Sequence, residues 1–117
     1  MTAPAPIPPA SGDEFAVSRE ERDGAIVLTL AGEFDIAGVA PLAEVTRAIG
    51  AGDRVFLDLR EVSFMDSAGV RALMNLDLRA RVEGWTIAMV GPQPRVRRVL
   101  SLCGFEDRIP ILDDPLS

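Results

Sequence analysis

Apolar residues in this chain fall into short clusters separated by Gly, Pro and charged residues, and their spacing switches between strand and helix periods. Between Glu14 and Glu21, Phe15 and Val17 alternate with polar neighbours, which predicts a first strand with one polar face. Arg22-Asp23-Gly24 is a turn signal, with glycine supplying the positive φ of a tight hairpin. Ala25 to Leu30 is nearly continuous in apolar residues, as a buried strand would be, and Gly32-Glu33-Phe34-Asp35 is expected to end it. From Ile36 to Ile49, positions 39, 42, 45, 46 and 49 approximate a helical stripe, with Pro41 tolerable only near the first turn. Gly50-Ala51-Gly52-Asp53 then turns the chain into a buried strand over residues 54–59.

The second half repeats the alternation. A helix is predicted from Ser67 to Glu83, stopped by Gly84. Its face at 70, 73, 74 and 77 mixes Val, Leu and Met with Asp77, while Leu76 and Leu78 fall off that stripe. A wider buried face accounts for this; an exposed apolar patch for a partner or a second copy is the alternative. Trp85 to Val90 reads as another buried strand, and Gly91-Pro92-Gln93-Pro94 as a rigid loop. Arg95 to Cys103 has apolar residues at 96, 99, 100 and 103, which puts Cys103 in the core as a small hydrophobe. Arg95, Arg97 and Arg98 then face solvent or ion-pair partners. Gly104 ends that helix, and Ile109 to Leu112 is short enough for an edge strand. Strands alternating with helices in this order predict an α/β domain, a mixed and mostly parallel sheet of about four to five strands with helices packed against it.

Composition narrows the chemistry. At 117 residues and 48% hydrophobic content, the chain suits one domain over 13–117, preceded by an Ala/Pro-rich segment, 1–12, expected to be disordered. A net charge of −6 argues against nucleic-acid binding, which needs a basic surface. No run approaches the roughly 18 apolar residues of a membrane span, and the N-terminus lacks a signal peptide's basic and apolar regions. With one cysteine and no histidine, neither a Ser-His or Cys-His nucleophilic pair nor an ordinary zinc site can form. No phosphate loop or dinucleotide fingerprint is present. A cytoplasmic, non-enzymatic binding module without cofactor or metal is expected. A small nucleotide-binding or hydrolytic enzyme is the disfavoured alternative.

The stretch that carries information is Val62-Ser63-Phe64-Met65-Asp66-Ser67-Ala68-Gly69-Val70, where a strand hands over to a helix. Asp or Ser at such a junction can accept hydrogen bonds from the free amides of the first helical turn. Those amides and the helix dipole also favour an added anion. The serine hydroxyl is therefore either a helix cap or a phosphorylation switch. Asp35, before the first helix, is well placed as its cap.

That stretch resembles the signature of STAS domains, in particular the single-domain bacterial anti-sigma factor antagonists. Gly32-Glu33-Phe34-Asp35 resembles the family's Gly-Glu-Leu-Asp element, and Pro94 to Leu100 with Gly104-Phe105 resembles its last helix and following turn. The resemblance covers about Phe15 to Leu112. It implies the STAS fold and a protein that, unphosphorylated, binds an anti-sigma factor serine kinase and frees a sigma factor. Phosphorylation in the Asp-Ser-x-Gly motif breaks the complex, and a serine phosphatase restores it. Carried onto this chain, the acceptor is Ser67 and the partner surface holds Asp35, Asp66, Ser67, Ala68, Gly69 and Arg71. Many members have Ser or Thr where Ala68 stands, and in some that position takes the phosphate. Here Ser67 is the acceptor left in the motif, with Ser63 a second candidate. A kinase requiring the second position would leave a permanent antagonist or a non-switched adaptor of a sensory or lipid-transport assembly.

Overall fold

The computed structural model describes residues 14–113, so the segment expected to be disordered lies outside the described residues. Five strands, β1 (Ala16–Arg22), β2 (Ala25–Phe34), β3 (Arg54–Met65), β4 (Thr86–Val90) and β5 (Ile111–Leu112), lie in the order β1-β2-β3-β4-β5. β1 is antiparallel to β2, and every other neighbouring pair is parallel. Helices α1 (Val39–Thr46), α2 (Ser67–Glu83) and α3 (Pro94–Leu102) fill the crossovers. This is the mixed, mostly parallel α/β sheet that the alternation predicts.

Local signals set the turns. Asp23 and Gly24 have φ of 53° and 80°, both positive, as the two-residue hairpin between β1 and β2 requires. Gly84 at φ 85° stops α2, and its amide returns to the carbonyl of Ala80.

The strands around the signature are longer than expected. β2 runs on through Gly32 to Phe34, and β3 continues past Leu59 to Met65. Two irregularities in register explain why the pattern hides this. Thr29 faces Asp58 but Ala31 faces Glu61, and Gly32 faces Val62 but Glu33 faces Phe64. β3 therefore holds two more residues than β2 over the same length, at β-bulges. A bulge resets which face a side chain occupies, so Leu59, Val62 and Met65, spaced by three, are all buried. Asp58 stabilises the first bulge. Its carboxylate accepts from the Arg60 amide at 3.1 Å and from the Arg60 guanidinium at 2.9 and 2.7 Å. The Arg60 guanidinium holds the Asp58 carboxyl below its ordinary value of 3.8, against the opposing effect of burial. Gln93 donates to the Arg60 carbonyl at 2.9 Å, tying the same bulge to the loop before α3.

The core joins Leu28, Leu30, Phe34, Leu57, Leu59, Leu73, Met89, Val96, Leu100 and Phe105, all fully buried. Three expectations need correction. The helix expected over 36–49 is a 3₁₀ turn, Ile36–Gly38, followed by α1, which ends at Thr46. The buried face of α2 is Gly69, Ala72, Leu73, Leu76, Asp77 and Ala80, so the wider face is real for Leu76 only. Met74, Leu78 and Val82 are 37%, 49% and 85% exposed. Asp77 is tolerated inside because Arg81 and Arg108 reach its carboxylate at 3.1 and 2.8 Å. Finally, Cys103 is exposed, since α3 ends at Leu102 and the chain leaves before the stripe returns to the core.

Candidate functional site

Phe34 and Met65 are register partners at the carboxyl ends of β2 and β3, so Asp35 and Asp66 leave the sheet side by side. Ligands of open parallel sheets bind at such ends. Each aspartate caps the helical turn next to it in the chain. Asp35 accepts from the Ala37 amide at 3.0 Å and opens the 3₁₀ turn. Asp66 accepts from the amides of Ala68 and Gly69 at 2.9 and 3.2 Å and opens α2. At the first helical turn the cap is therefore Asp66 and not Ser67. Ser67 is the first residue of α2, exposed, and among the described residues its hydroxyl has no hydrogen-bond partner.

Gly69 is where β2 and α2 touch. A Cβ there would stand 2.5 Å from the Phe34 carbonyl oxygen and 2.9 Å from Met65 Cγ. Only glycine fits, because the obstacle is backbone. Gly38 plays a similar part on the other side, against the rings of Phe34 and Phe15, which stack at 4.9 Å.

Beside Ser67 lies a groove of about 490 Å³ between α2 and α3. Met65, Val70, Met74, Val99 and Cys103 make it mostly apolar, and Asp66, Ser67 and Arg71 form its polar corner. Asp66, Ser67 and Arg71 are thus brought together, whereas Asp35 and the half-buried Ala68 lie outside the lining and Gly69 is buried beneath it. The sequence pattern does not reveal the wall formed by α3 and Met74. Its one signal is the fourth position of the α3 stripe, Cys103, which periodicity alone places in the core. Of the α3 arginines, Arg97 pairs with Glu106 at 3.7 Å and all three are exposed, as a solvated face would be. Among the described residues no cluster of acidic or Cys side chains could hold a metal ion, and no helix is long and apolar enough to cross a membrane.

At the end of the mixed sheet a strand-bulge-helix junction thus presents a capped Asp-Ser corner. The family profile "Mlab, STAS domain" matches residues 17–113, and the chain belongs to the STAS-domain family. BtrV of Bordetella bronchiseptica, named as an anti-sigma factor antagonist, is 27% identical over 97 residues, covering 81% of this chain and 84% of its own. The unphosphorylated anti-sigma factor antagonist SpoIIAA superposes with a TM-score of 0.66 at 25% identity, covering 86% of this chain and 90% of that one. SpoIIAA, a Bacillus cell fate determinant, has also been solved in its phosphorylated form. A sulfate transporter family protein from Wolinella succinogenes shares the fold, with a TM-score of 0.67 at 20% identity, covering 91% of this chain and 85% of that one.

Proposed function

We propose that this chain is an anti-sigma factor antagonist. Unphosphorylated, it binds an anti-sigma factor serine kinase at the Asp35–Asp66–Ser67–Arg71 corner and so releases a sigma factor; phosphorylation of Ser67 ends the binding, and a serine phosphatase reverses it. The observation that carries this reading is the Ser67 hydroxyl, exposed and unused beside an aspartate that already caps the helix. A serine needed for the fold would be spent in the cap; this one is available to an enzyme. The antagonist names of BtrV and SpoIIAA, and SpoIIAA's two phosphorylation forms, support the same reading.

The chemistry is an ordinary phosphoryl transfer. The γ-phosphoryl of a nucleoside triphosphate forms a bond to Ser67 Oγ, the bond to the β-phosphate oxygen breaks, and the hydroxyl proton leaves with the kinase's base. The product adds about −1.5 to −2 charges to a corner that holds Asp66, with Asp35 close by, and rejects a partner by charge and bulk without refolding. Ser63 is a poorer acceptor, being half-buried in β3.

A non-switched adaptor is the second reading, favoured by Ala68 and by the transporter-family likeness. Intact mass of the protein from its own cells, unstressed and stressed, decides between them. A single-phosphate increment that varies with condition and vanishes in Ser67→Ala is expected. An increment that survives the substitution moves the site, and its absence under phosphatase inhibition favours the adaptor. Ser67→Ala is expected to change stability by less than about 0.5 kcal/mol, since among the described residues the hydroxyl makes no hydrogen bond.

A further inference from the structure

We infer that phosphoserine 67 pairs with Arg71 rather than with the end of α2, so that the modification removes the one cation that lines the groove among the described residues. This rests on Ser67 being the acceptor. The helix end is the obvious receiver for a phosphate, but Asp66 already takes the amides of Ala68 and Gly69, at 2.9 and 3.2 Å. A phosphate seeking those donors must displace a carboxylate from its own helix cap.

Arg71 offers the alternative. It stands four residues after Ser67, one turn along the same face of α2, and both line the groove. Among the described residues Arg71 is exposed and makes no ion pair, unlike Arg47, Arg79, Arg81, Arg97 and Arg108. Acid before base at this spacing is the favoured orientation on a helix. A guanidinium also grips phosphate oxygens with two donors at once. Among the described residues the charged and titratable groups lining the groove are Asp66, Arg71 and Cys103, so no other guanidinium of those residues competes there. Before modification the groove lining carries the negative charge of Asp66 and the positive charge of Arg71, and Arg71 is free to meet an acidic side chain of the partner. After modification Arg71 is engaged, and the same partner acid faces phosphate and Asp66 together. The switch therefore both adds repulsion and takes away an attraction.

The test is a ³¹P titration of the full chain with phosphoserine installed at 67 during translation, compared with the Arg71→Ala, Arg71→Lys and Arg47→Ala variants. Arg71→Ala is expected to raise the second phosphate pKa by about half a unit, Arg71→Lys to recover part of that shift, and Arg47→Ala to change nothing. The amide protons of Ala68 and Gly69 are expected to stay still as the phosphate titrates, while the Arg71 Nε proton moves. An unchanged phosphate pKa in Arg71→Ala, or Ala68 and Gly69 amides that follow the titration, overturns the pairing. Loss of the folded spectrum on phosphorylation also overturns it, because the pair needs α2 intact. Installing the phosphoserine keeps this separate from whether cells phosphorylate Ser67, which the mass measurement answers alone.

Discussion

The two ends of α2 treat their polar side chains in opposite ways. At the C-terminal end each is committed. Asp77 is buried and receives Arg81 and Arg108. Arg79 donates to the Thr46 carbonyl at 3.1 Å and to Glu83, and lies over the Trp85 ring at 5.5 Å. Trp85 Nε1 closes the circuit on Glu83 at 3.0 Å. At the N-terminal end the cap aspartate alone is committed among the described residues. Ser67 and Arg71 stand free among the described residues beside a groove that leaves Met74 exposed. Both ends contribute buried apolar residues, Leu73 at one and Ala80 at the other. The difference lies in what surrounds that core: one end spends its polar groups on anchoring the helix to α1, to Trp85 just before β4 and to the turn before β5, and the other leaves Ser67 and Arg71 unspent among the described residues. Such a division is expected where a surface must meet a partner without the fold depending on it.

Substitutions can break this contrast, beginning where it is narrowest. Gly69→Val puts a branched side chain into the Phe34 carbonyl and is expected to cost about 3 kcal/mol, or to prevent folding, as read by thermal and denaturant unfolding. That position sits at the N-terminal end yet is structural, so a mild effect would dissolve the contrast. Asp77→Ala is expected to cost about 2 kcal/mol in the same assay, less than for a fully buried triad because both arginines stay partly hydrated. Asp66→Ala removes the cap and is expected to cost about 1 kcal/mol, with increased amide exchange confined to the first turn of α2.

The smallest effect is in pH dependence and lies away from the groove. The Arg60 guanidinium lowers the Asp58 carboxyl below 3.8, and Arg79, helped by the Trp85 N–H, lowers Glu83 below 4.5. Groups with depressed pKa in the folded state stabilise it above their unfolded values. That contribution is lost as pH falls through the folded values. Acid destabilisation is thus expected below about pH 4.5, and Arg60→Gln should return the Asp58 carboxyl upward in a carboxylate NMR titration.

Short-range physics is legible from the residues alone. Asp23-Gly24 takes two positive φ values that suit a hairpin, Gly84 ends α2 in the left-handed region, and the helix start at Ser67 follows from a polar junction after a buried run. The Asp-Ser-x-Gly corner and its neighbour Asp35 are legible too, because caps are written within three residues of the amides they receive. Tertiary structure decides the rest. Two bulges carry β3 through to Met65, and no period of two could reveal them because each bulge resets the face. Asp77 is inside because arginines from α2 and from beyond α3 converge on it, one of them 31 residues away in sequence. Cys103 belongs to a groove wall rather than the core because α3 stops one residue short of it. Which of Asp66 and Ser67 caps the helix depends on where β3 releases the chain, and that choice leaves the serine hydroxyl free. A residue's neighbours along the chain determine what it can do locally; which of those options it takes depends on contacts the chain makes only when folded.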